Sequence, residues 1–153
     1  MTIHLKPVTR DNWEDALELK LKSAQIHLVP SPAVSLAKIG IKPDGDSIEY
    51  LPFGIYHAAK MVGFIMHARD EATANMYWIN GFLIDSEHQG KGYGRDALAE
   101  MIRWIKEHNP NCREIRLTVR MDNEGARKLY GKMGFQATGV MYGDEEVWVL
   151  ENA

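Results

Sequence analysis

Apolar and polar residues alternate over residues 3–8, which predicts a half-buried strand, and Pro7 favours a place at the edge of a sheet. A stripe of apolar residues at three- and four-residue spacing then predicts a helix that Asp11 caps. The members of that stripe are Trp13, Ala16, Leu17, Leu21 and Ala24. A short helix is predicted from Pro32 to Gly40, in a proline- and glycine-rich stretch expected to form a mobile loop over a site.

The rest of the chain combines strand patterns with two amphipathic helix patterns. Strands are predicted over residues 53–56, 61–66, 76–84, 114–119, 136–142 and 146–150. One helix is predicted from Gly92 to a stop at Asn109-Pro110, and another from a cap at Asp122 or Asn123 to a left-handed residue at Gly134. Hairpins therefore come first, then strand–helix–strand–helix, then a final hairpin. This order is typical of a mixed α/β fold with helices on the faces of one sheet.

Composition places the chain among soluble globular proteins. Its 153 residues are 45% hydrophobic and 25% charged, and they are expected to form one domain, 1–153. The net charge of −3 supplies no field that would gather polyanions, so we expect no nucleic-acid partner. No apolar run has the length of a spanning helix, and residues 1–10 lack the apolar core of a signal peptide, so no membrane association is expected.

Cysteine and histidine usage bears on compartment and on metals. Cys112 is the only cysteine, which excludes an intrachain disulfide and favours a reducing, cytoplasmic location. The six histidines show no pair at metal-ligand spacing on one helix, so no metal site is predicted.

The most informative stretch is the glycine-rich loop of residues 89–95, Gln-Gly-Lys-Gly-Tyr-Gly-Arg, between an apolar strand and an amphipathic helix. Glycines let the backbone turn its N–H groups toward one point, and a helix N-terminus adds partial positive charge, so the loop favours a bound phosphate group. A ligand-free turn is the alternative. A nucleotide triphosphatase loop is disfavoured because Lys91 is followed by Gly92 instead of Ser or Thr.

A dinucleotide-binding oxidoreductase is another alternative. Residues 92–97 match G-x-G-x-x-A, and Asp122 follows the next strand, where a ribose-binding carboxylate would lie. However, that fold places its glycines directly after its first strand and needs a second strand–helix half downstream. Here about 90 residues precede the loop, and little chain follows it, which argues against this fold.

Two blocks of sequence resemble the GNAT superfamily of N-acetyltransferases. Phe82-Leu83-Ile84 followed by the loop 89–94 is similar to the superfamily's acyl-coenzyme-A loop, and residues 123–135, from Asn to Gly-Phe, resemble its later helix. Overall length and the strand 78–85 resemble bacterial spermine/spermidine (diamine) acetyltransferases in particular. The resemblance implies a mixed, mostly antiparallel sheet of about seven strands with a splayed parallel pair and helices on both faces.

The resemblance also implies a site for acetyl-CoA. The backbone of Phe82, Leu83 and Ile84 would pair with the pantetheine arm and polarise the thioester carbonyl. The loop would hold the phosphates, and its expected members are Gln89, Gly90, Lys91, Gly92, Tyr93, Gly94 and Arg95. For Lys91 and Arg95, contact with the distal phosphate and simple surface solvation are equally expected. Asn123 is expected to bind the pantetheine amides, to cap its helix, or both.

Tyr130 is the candidate catalytic residue. Periodicity alone favours a packed core tyrosine, whereas the resemblance implies a general acid that protonates the departing thiolate. The base is not identified, because Asn80 stands where the polyamine-acetylating relatives carry an acidic residue, and an amide does not titrate. The alternatives are a water relay to another group or an acceptor with a low amine pKa. Asp85, Glu87 and His88 lie near in sequence and His67 is on the neighbouring hairpin, although a solvated loop explains the first three and ordinary packing explains His67.

The resulting functional hypothesis is acetyl transfer from acetyl-CoA to the primary amine of a small acceptor, with a polyamine such as spermidine or spermine as the leading candidate. A protein N-terminus, a lysine or an aminoglycoside is the alternative acceptor, and a non-catalytic acyl-CoA sensor is an alternative of another class. Acidic residues that would suit a polycation at the entrance are Asp44, Asp46, Glu49, Asp70 and Glu71, although solvation explains them equally. Exposed strand edges favour a homodimer.

Overall fold

The computed structural model describes residues 2–70, 73 and 76–151. Within these residues lie seven strands, four helices and two short 3₁₀ turns. The strands are β1 (Ile3–Pro7), β2 (Glu49–His57), β3 (Lys60–Arg69), β4 (Tyr77–Ile84), β5 (Glu114–Arg120), β6 (Gln136–Tyr142) and β7 (Glu145–Glu151). The helices are α1 (Trp13–Glu18), α2 (Pro32–Ile41), α3 (Tyr93–His108) and α4 (Glu124–Lys132), and the turns are Ser23–Gln25 and Ser86–His88.

All seven strands join one sheet in the order β1-β2-β3-β4-β5-β7-β6. Its neighbours are antiparallel except β4 and β5, which are parallel and pair at a single position, Trp78 beside Arg116. Beyond that position the two strands separate, so residues 79–84 have no partner on β5. The predicted mixed sheet with a splayed parallel pair is confirmed. The homodimer expected from exposed strand edges stays a prediction.

Helices cover both faces of the sheet. On one face, α3 buries Ala97, Leu98, Met101 and Ile105 in a core that includes strand residues such as Ile65, Ile79 and Leu117. On the other face, α1 and α2 pack over β2, β3 and β4, where a second apolar cluster contains Ala16, Tyr50, Phe64 and Met66. Both faces of the central strands are therefore buried, while all seven residues of β6 are exposed.

The first predicted helix is wrong in its extent. It begins after Asn12 instead of Asp11 and ends at Glu18, and Leu19 adopts an extended conformation. The chain leaves the helix there because Lys20 bonds to the loop after β4: its N–H donates to Asp85 Oδ1 at 2.9 Å, and its carbonyl accepts from Ser86 N–H at 2.7 Å. These tertiary hydrogen bonds remove Leu21 and Ala24 from the helix.

The helix predicted over 32–40 is confirmed, one residue longer, and it packs on the sheet. The hairpin predicted from the apolar runs 53–56 and 61–66 is also confirmed. It is formed by β2 and β3, which are longer than those runs. Pro7 lies in edge strand β1 as expected.

A β-bulge interrupts β4 at Gly81. Phe64 pairs with Leu83 and Met66 with Asn80, so two residues of β4 lie opposite one residue of β3. Gly81 has a φ of +64°, and a Cβ at this position would lie 2.5 Å from Ser35 Oγ of α2. Glycine therefore satisfies two requirements here, the left-handed backbone and the close approach of the helix.

We expect Gly81→Ala to lower the free energy of unfolding by about 2 kcal/mol, since left-handed strain of about 1–2 kcal/mol adds to the clash with Ser35. Chemical denaturation measures this loss. Gly139→Ala is the matched control, because Gly139 has a φ of +82° but open space around it, so that variant reports strain alone. Equal losses in the two variants would show that the contact with Ser35 is unimportant.

Candidate active site

A cleft of about 330 Å³ opens where β4 separates from β5. Of the twelve residues that the sequence predicted for the site, ten line this cleft: Phe82, Leu83, Ile84, Gln89, Gly90, Gly92, Tyr93, Gly94, Asn123 and Tyr130. The end of β4, the glycine-rich loop and helix α4 therefore meet around one space, although they are far apart in sequence.

The glycine-rich loop turns directly into α3. Gly90 and Gly92 have φ values of +77° and +83°, and Gly92 is the N-cap of the helix. The first N–H groups of a helix have no intrahelical acceptor, and the helix dipole adds partial positive charge to them. The loop therefore presents backbone donors suited to an anion at the wall of the cleft.

Gln89 fixes this loop to the strand that precedes it. Its Nε2 donates to the carbonyl of Ile84 at 3.0 Å and to Gln25 Oε1 at 3.0 Å. The side chain lines the cleft, but these bonds already use its amide group, so its role in the structure is to position the loop.

Lys91 and Arg95 are the two predicted site residues outside the cleft lining. Arg95 has a side chain 70% exposed, and it lies 3.6 Å from Asp96. Lys91 is also exposed. Contact with the distal phosphate and surface solvation therefore both stay predictions for these two residues.

The separation of β4 from β5 leaves backbone groups of residues 82–84 without a strand partner on that side. Leu83 and Ile84 pair with Phe64 and Gly63 of β3, and no residue of β5 pairs with them. In a strand, alternate N–H and C=O groups point to opposite sides. Apart from the Ile84 carbonyl, which accepts from Gln89, those on the β5 side are available to an extended ligand or to a developing oxyanion.

Asn123 caps α4, since its Oδ1 accepts from Ala126 N–H at 3.3 Å. This bond uses the carbonyl oxygen of the side chain. The Nδ2 group remains available as a donor on the cleft wall, because no acceptor for it occurs within residues 2–70, 73 and 76–151. The geometry is therefore compatible with both predicted roles.

Tyr130 lies on α4 with its side chain almost wholly buried, and its ring centroid lies 5.9 Å from that of Phe135. Tyr130 lines the cleft, and in the described part of the chain no residue hydrogen-bonds to its hydroxyl group. Burial raises the pKa of this phenol, and the negative charge of Glu145 raises it further. The phenol is therefore protonated throughout the neutral range and is available as a donor.

Asn80 and the four titratable residues considered as the base lie in different surroundings. Asn80 has its Oδ1 buried, and no described residue forms a hydrogen bond with it. His67 packs against Trp104 of α3, and burial lowers its pKa to about 4. Asp85 accepts backbone hydrogen bonds from Lys20 and Glu87. The four titratable residues are His67, Asp85, Glu87 and His88, and of these only His88 lines the cleft.

Most of the predicted acidic cluster lies elsewhere. Glu49 begins β2 and pairs with Arg69 at 2.8 Å, at the end of the sheet opposite the cleft. Asp44 accepts from the hydroxyl of Tyr50, and Asp70 accepts from Ser47 at 3.3 Å. Asp46 is exposed, and Glu71 lies outside the described residues. Intramolecular partners at a distant position give no support to a role at the acceptor entrance.

Sequence reasoning missed two contributions to the site. Leu21, Gln25, Leu28 and Val29 line the cleft, although part of this segment was predicted as helix. The prolines at 30 and 32 were a signal that a regular helix does not continue through this segment, which forms a 3₁₀ turn at Ser23–Gln25. Glu145 at the start of β7 was also missed, and no local pattern marks it.

No described helix is long and apolar enough to cross a membrane. Across residues 2–70, 73 and 76–151, no group of three His, Cys, Asp or Glu residues is arranged to hold a metal ion.

Comparison with known proteins agrees with this geometry. The sequence profile of the acetyltransferase (GNAT) family matches residues 13–135. The spermine/spermidine N(1)-acetyltransferase of Bacillus subtilis (strain 168) is 32% identical over 157 aligned positions, which cover 99% of each chain.

Two solved structures share the fold. The PaiA N-acetyltransferase from Thermoplasma acidophilum, in complex with coenzyme A, has a TM-score of 0.72 at 19% identity and covers 99% of both chains. The aminoglycoside acetyltransferase AAC(6')-Ib, also in complex with coenzyme A, has a TM-score of 0.76 at 17% identity and covers 98% of this chain and 95% of its own. The family match and the full-length relative show that the chain belongs to the acetyltransferase (GNAT) family and is an acetyl-CoA-dependent N-acetyltransferase.

Proposed function

We propose that this enzyme transfers the acetyl group of acetyl-CoA to a primary amine of a polyamine such as spermidine or spermine. The observation that carries the proposal is the shared cleft, in which the free edge of β4, the glycine-rich loop and Tyr130 surround one space. The name of the Bacillus relative, at 32% identity over its full length, supports a polyamine as the acceptor.

Each wall of the cleft has a separate task in this proposal. The N–H groups of residues 90–95 hold the pyrophosphate, and the unpaired backbone of residues 82–84 binds the pantetheine arm. One N–H of that edge stabilises the oxyanion formed as the amine attacks the thioester carbonyl. Tyr130 donates its proton toward the departing sulfur.

Direct attack within a ternary complex requires no protein nucleophile. It does require a neutral amine, and an amine with a pKa of about 10.4 needs about 4.6 kcal/mol to lose its proton at pH 7. Asn80 does not accept this proton, because an amide does not titrate. We also propose a cytoplasmic location, in keeping with the free, buried thiol of Cys112.

The test is release of coenzyme A thiol with a panel of amines, each at several concentrations. We expect spermidine and spermine to show kcat/KM at least about tenfold above a lysine-containing peptide, a free peptide N-terminus and an aminoglycoside; each 1.4 kcal/mol of selectivity is one factor of ten. A faster peptide or aminoglycoside would contradict the acceptor class. Binding of acetyl-CoA without thiol release for any amine would favour the sensor function instead.

A further inference from the structure

Glu145 lies where β5 and β7 flank the gap in the sheet. It is the first residue of β7, and in the sheet its backbone lies opposite that of Arg120 at the end of β5. Its Oε1 accepts a hydrogen bond from the hydroxyl group of Thr118 at 3.3 Å. Thr118 follows Arg116 by two residues and so lies beyond the one position at which β4 and β5 pair.

The alternation of side chains along each strand identifies the face of the sheet on which the Glu145 carboxylate lies. Arg116 lies over the ring of Trp78, with 5.9 Å between the guanidinium carbon and the ring centroid. Side chains two residues apart in a strand share a face, so Asn80 follows Trp78, and Thr118 follows Arg116, on this face of the sheet. Asn80 and Thr118 therefore flank the gap, and Thr118 holds Glu145 beside it.

Glu145 lines a second cleft, which shares two lining residues with the cleft that contains Tyr130. The second cleft, of about 200 Å³, is lined by residues 27–30, Arg120, Asp144 and Glu145. Leu28 and Val29 line both clefts, so the two clefts are neighbours that share this segment as a wall. The negative charge of Glu145 raises the pKa of the Tyr130 phenol, so the carboxylate lies within electrostatic reach of that hydroxyl group.

The carboxylate of Glu145 forms no ion pair within the described residues, unlike the carboxylates of Asp122 and Asp144. Arg120 lies 3.0 Å from Asp122 and 3.3 Å from Asp144, and His27 lies 3.1 Å from Asp122. In the described part of the chain no Lys, Arg or His approaches Glu145 within 4.0 Å, and Thr118 is its only hydrogen-bond donor. A half-buried carboxylate that lines a cleft and has no ion-pair partner in the described residues is suited to bind a cation from outside the chain.

We infer that Glu145 binds a protonated nitrogen of the acceptor and so selects amines that carry a second positive charge. The inference rests on the proposed function and extends it to a specificity-determining residue. While one nitrogen of a polyamine reacts in neutral form, the next nitrogen along the chain stays protonated and pairs with the carboxylate. Thr118 positions the carboxylate for this contact.

The test compares wild type with Glu145→Gln on two acceptors of matched length, 1,3-diaminopropane and n-butylamine, which differ by an ammonium in place of a methyl group. We expect the variant to raise KM for the diamine by about 30-fold, to change kcat by less than about threefold, and to leave KM for n-butylamine and for acetyl-CoA unchanged. The unchanged acetyl-CoA value also shows that the variant is folded.

Asp144→Asn is the matched control, because it removes the same charge one residue earlier from a carboxylate that pairs with Arg120. A rise in KM for the diamine as large as that of Glu145→Gln would overturn the inference in favour of general electrostatic attraction. An unchanged diamine KM in Glu145→Gln would overturn it as well, while the proposed function would stand. If wild type itself does not prefer the diamine to n-butylamine, the proposed acceptor class is wrong, and the proposed role of Glu145 is wrong with it.

Discussion

The variant Tyr130→Phe is expected to lower kcat by about 100-fold, the lower end of the range for general acid catalysis, while acetyl-CoA still binds. Tyr130 lines the cleft, and its burial raises its pKa, so the wild-type phenol is protonated at neutral pH. Phenylalanine keeps the ring and its contact with Phe135 but removes the donor. The departing thiolate then loses the group that stabilises it as the carbon–sulfur bond breaks.

The measurement is thiol release at saturating substrates, combined with calorimetry of acetyl-CoA binding to each variant. Tyr50→Phe is the matched control, since Tyr50 is also buried, and its hydroxyl donates to Asp44 at the distant end of the sheet. That variant should keep the wild-type kcat. An unchanged kcat in Tyr130→Phe would remove Tyr130 from the chemistry and leave it as a packing residue.

The parts of the site that the sequence predicted are those encoded by contiguous residues. A loop of glycines between a strand and a helix carries its own conformational requirement, and residues 90–94 adopt it locally. The cap at Asn123 and the left-handed Gly134 likewise follow from residue type. These features depend on local residue types and not on distant parts of the chain, so a single sequence is enough to identify them.

The errors come from long-range interactions. The apolar stripe after Trp13 indicated a longer helix, but the backbone bonds of Lys20 with Asp85 and Ser86 end it early, and these partners are more than 60 residues away. Tertiary hydrogen bonds of this kind outweigh the small helix propensities of individual residues. The same departure brings Leu28 and Val29 to the cleft.

Glu145 shows the same limit for the site itself. It reaches the gap only because β7, and not β6, lies next to β5. That strand order does not follow from the hairpin pattern of residues 136–150, which is compatible with either strand inside. By contrast, three of the acidic residues that the sequence did single out have side-chain partners within the fold, namely Asp44, Glu49 and Asp70. Charge counted along a sequence does not show which carboxylates remain unpaired.

Stability is expected to fall by about 3 kcal/mol as the pH decreases from 6.5 to 4, because of His67 alone. Burial lowers the pKa of His67 to about 4, and the positive charge of Arg69 acts in the same direction, while the carbonyl of Trp78 opposes it. An unfolded histidine titrates near 6.5, so between these values the unfolded state binds a proton that the folded state does not. The stabilising difference is therefore complete above about pH 6.5 and is lost as the pH falls.

The measurement is denaturant unfolding from pH 7 to pH 4 for wild type and for His67→Asn, which keeps a side-chain donor for the Trp78 carbonyl but does not titrate. Carboxylates contribute equally to both proteins, so the difference between the two slopes isolates His67, and we expect about 1.4 kcal/mol per pH unit. His108→Gln is the matched control, because His108 stacks on the same Trp104 ring at 4.0 Å but is exposed. If the slope of His67→Asn equalled that of wild type, His67 would not be the group whose protonation destabilises the fold.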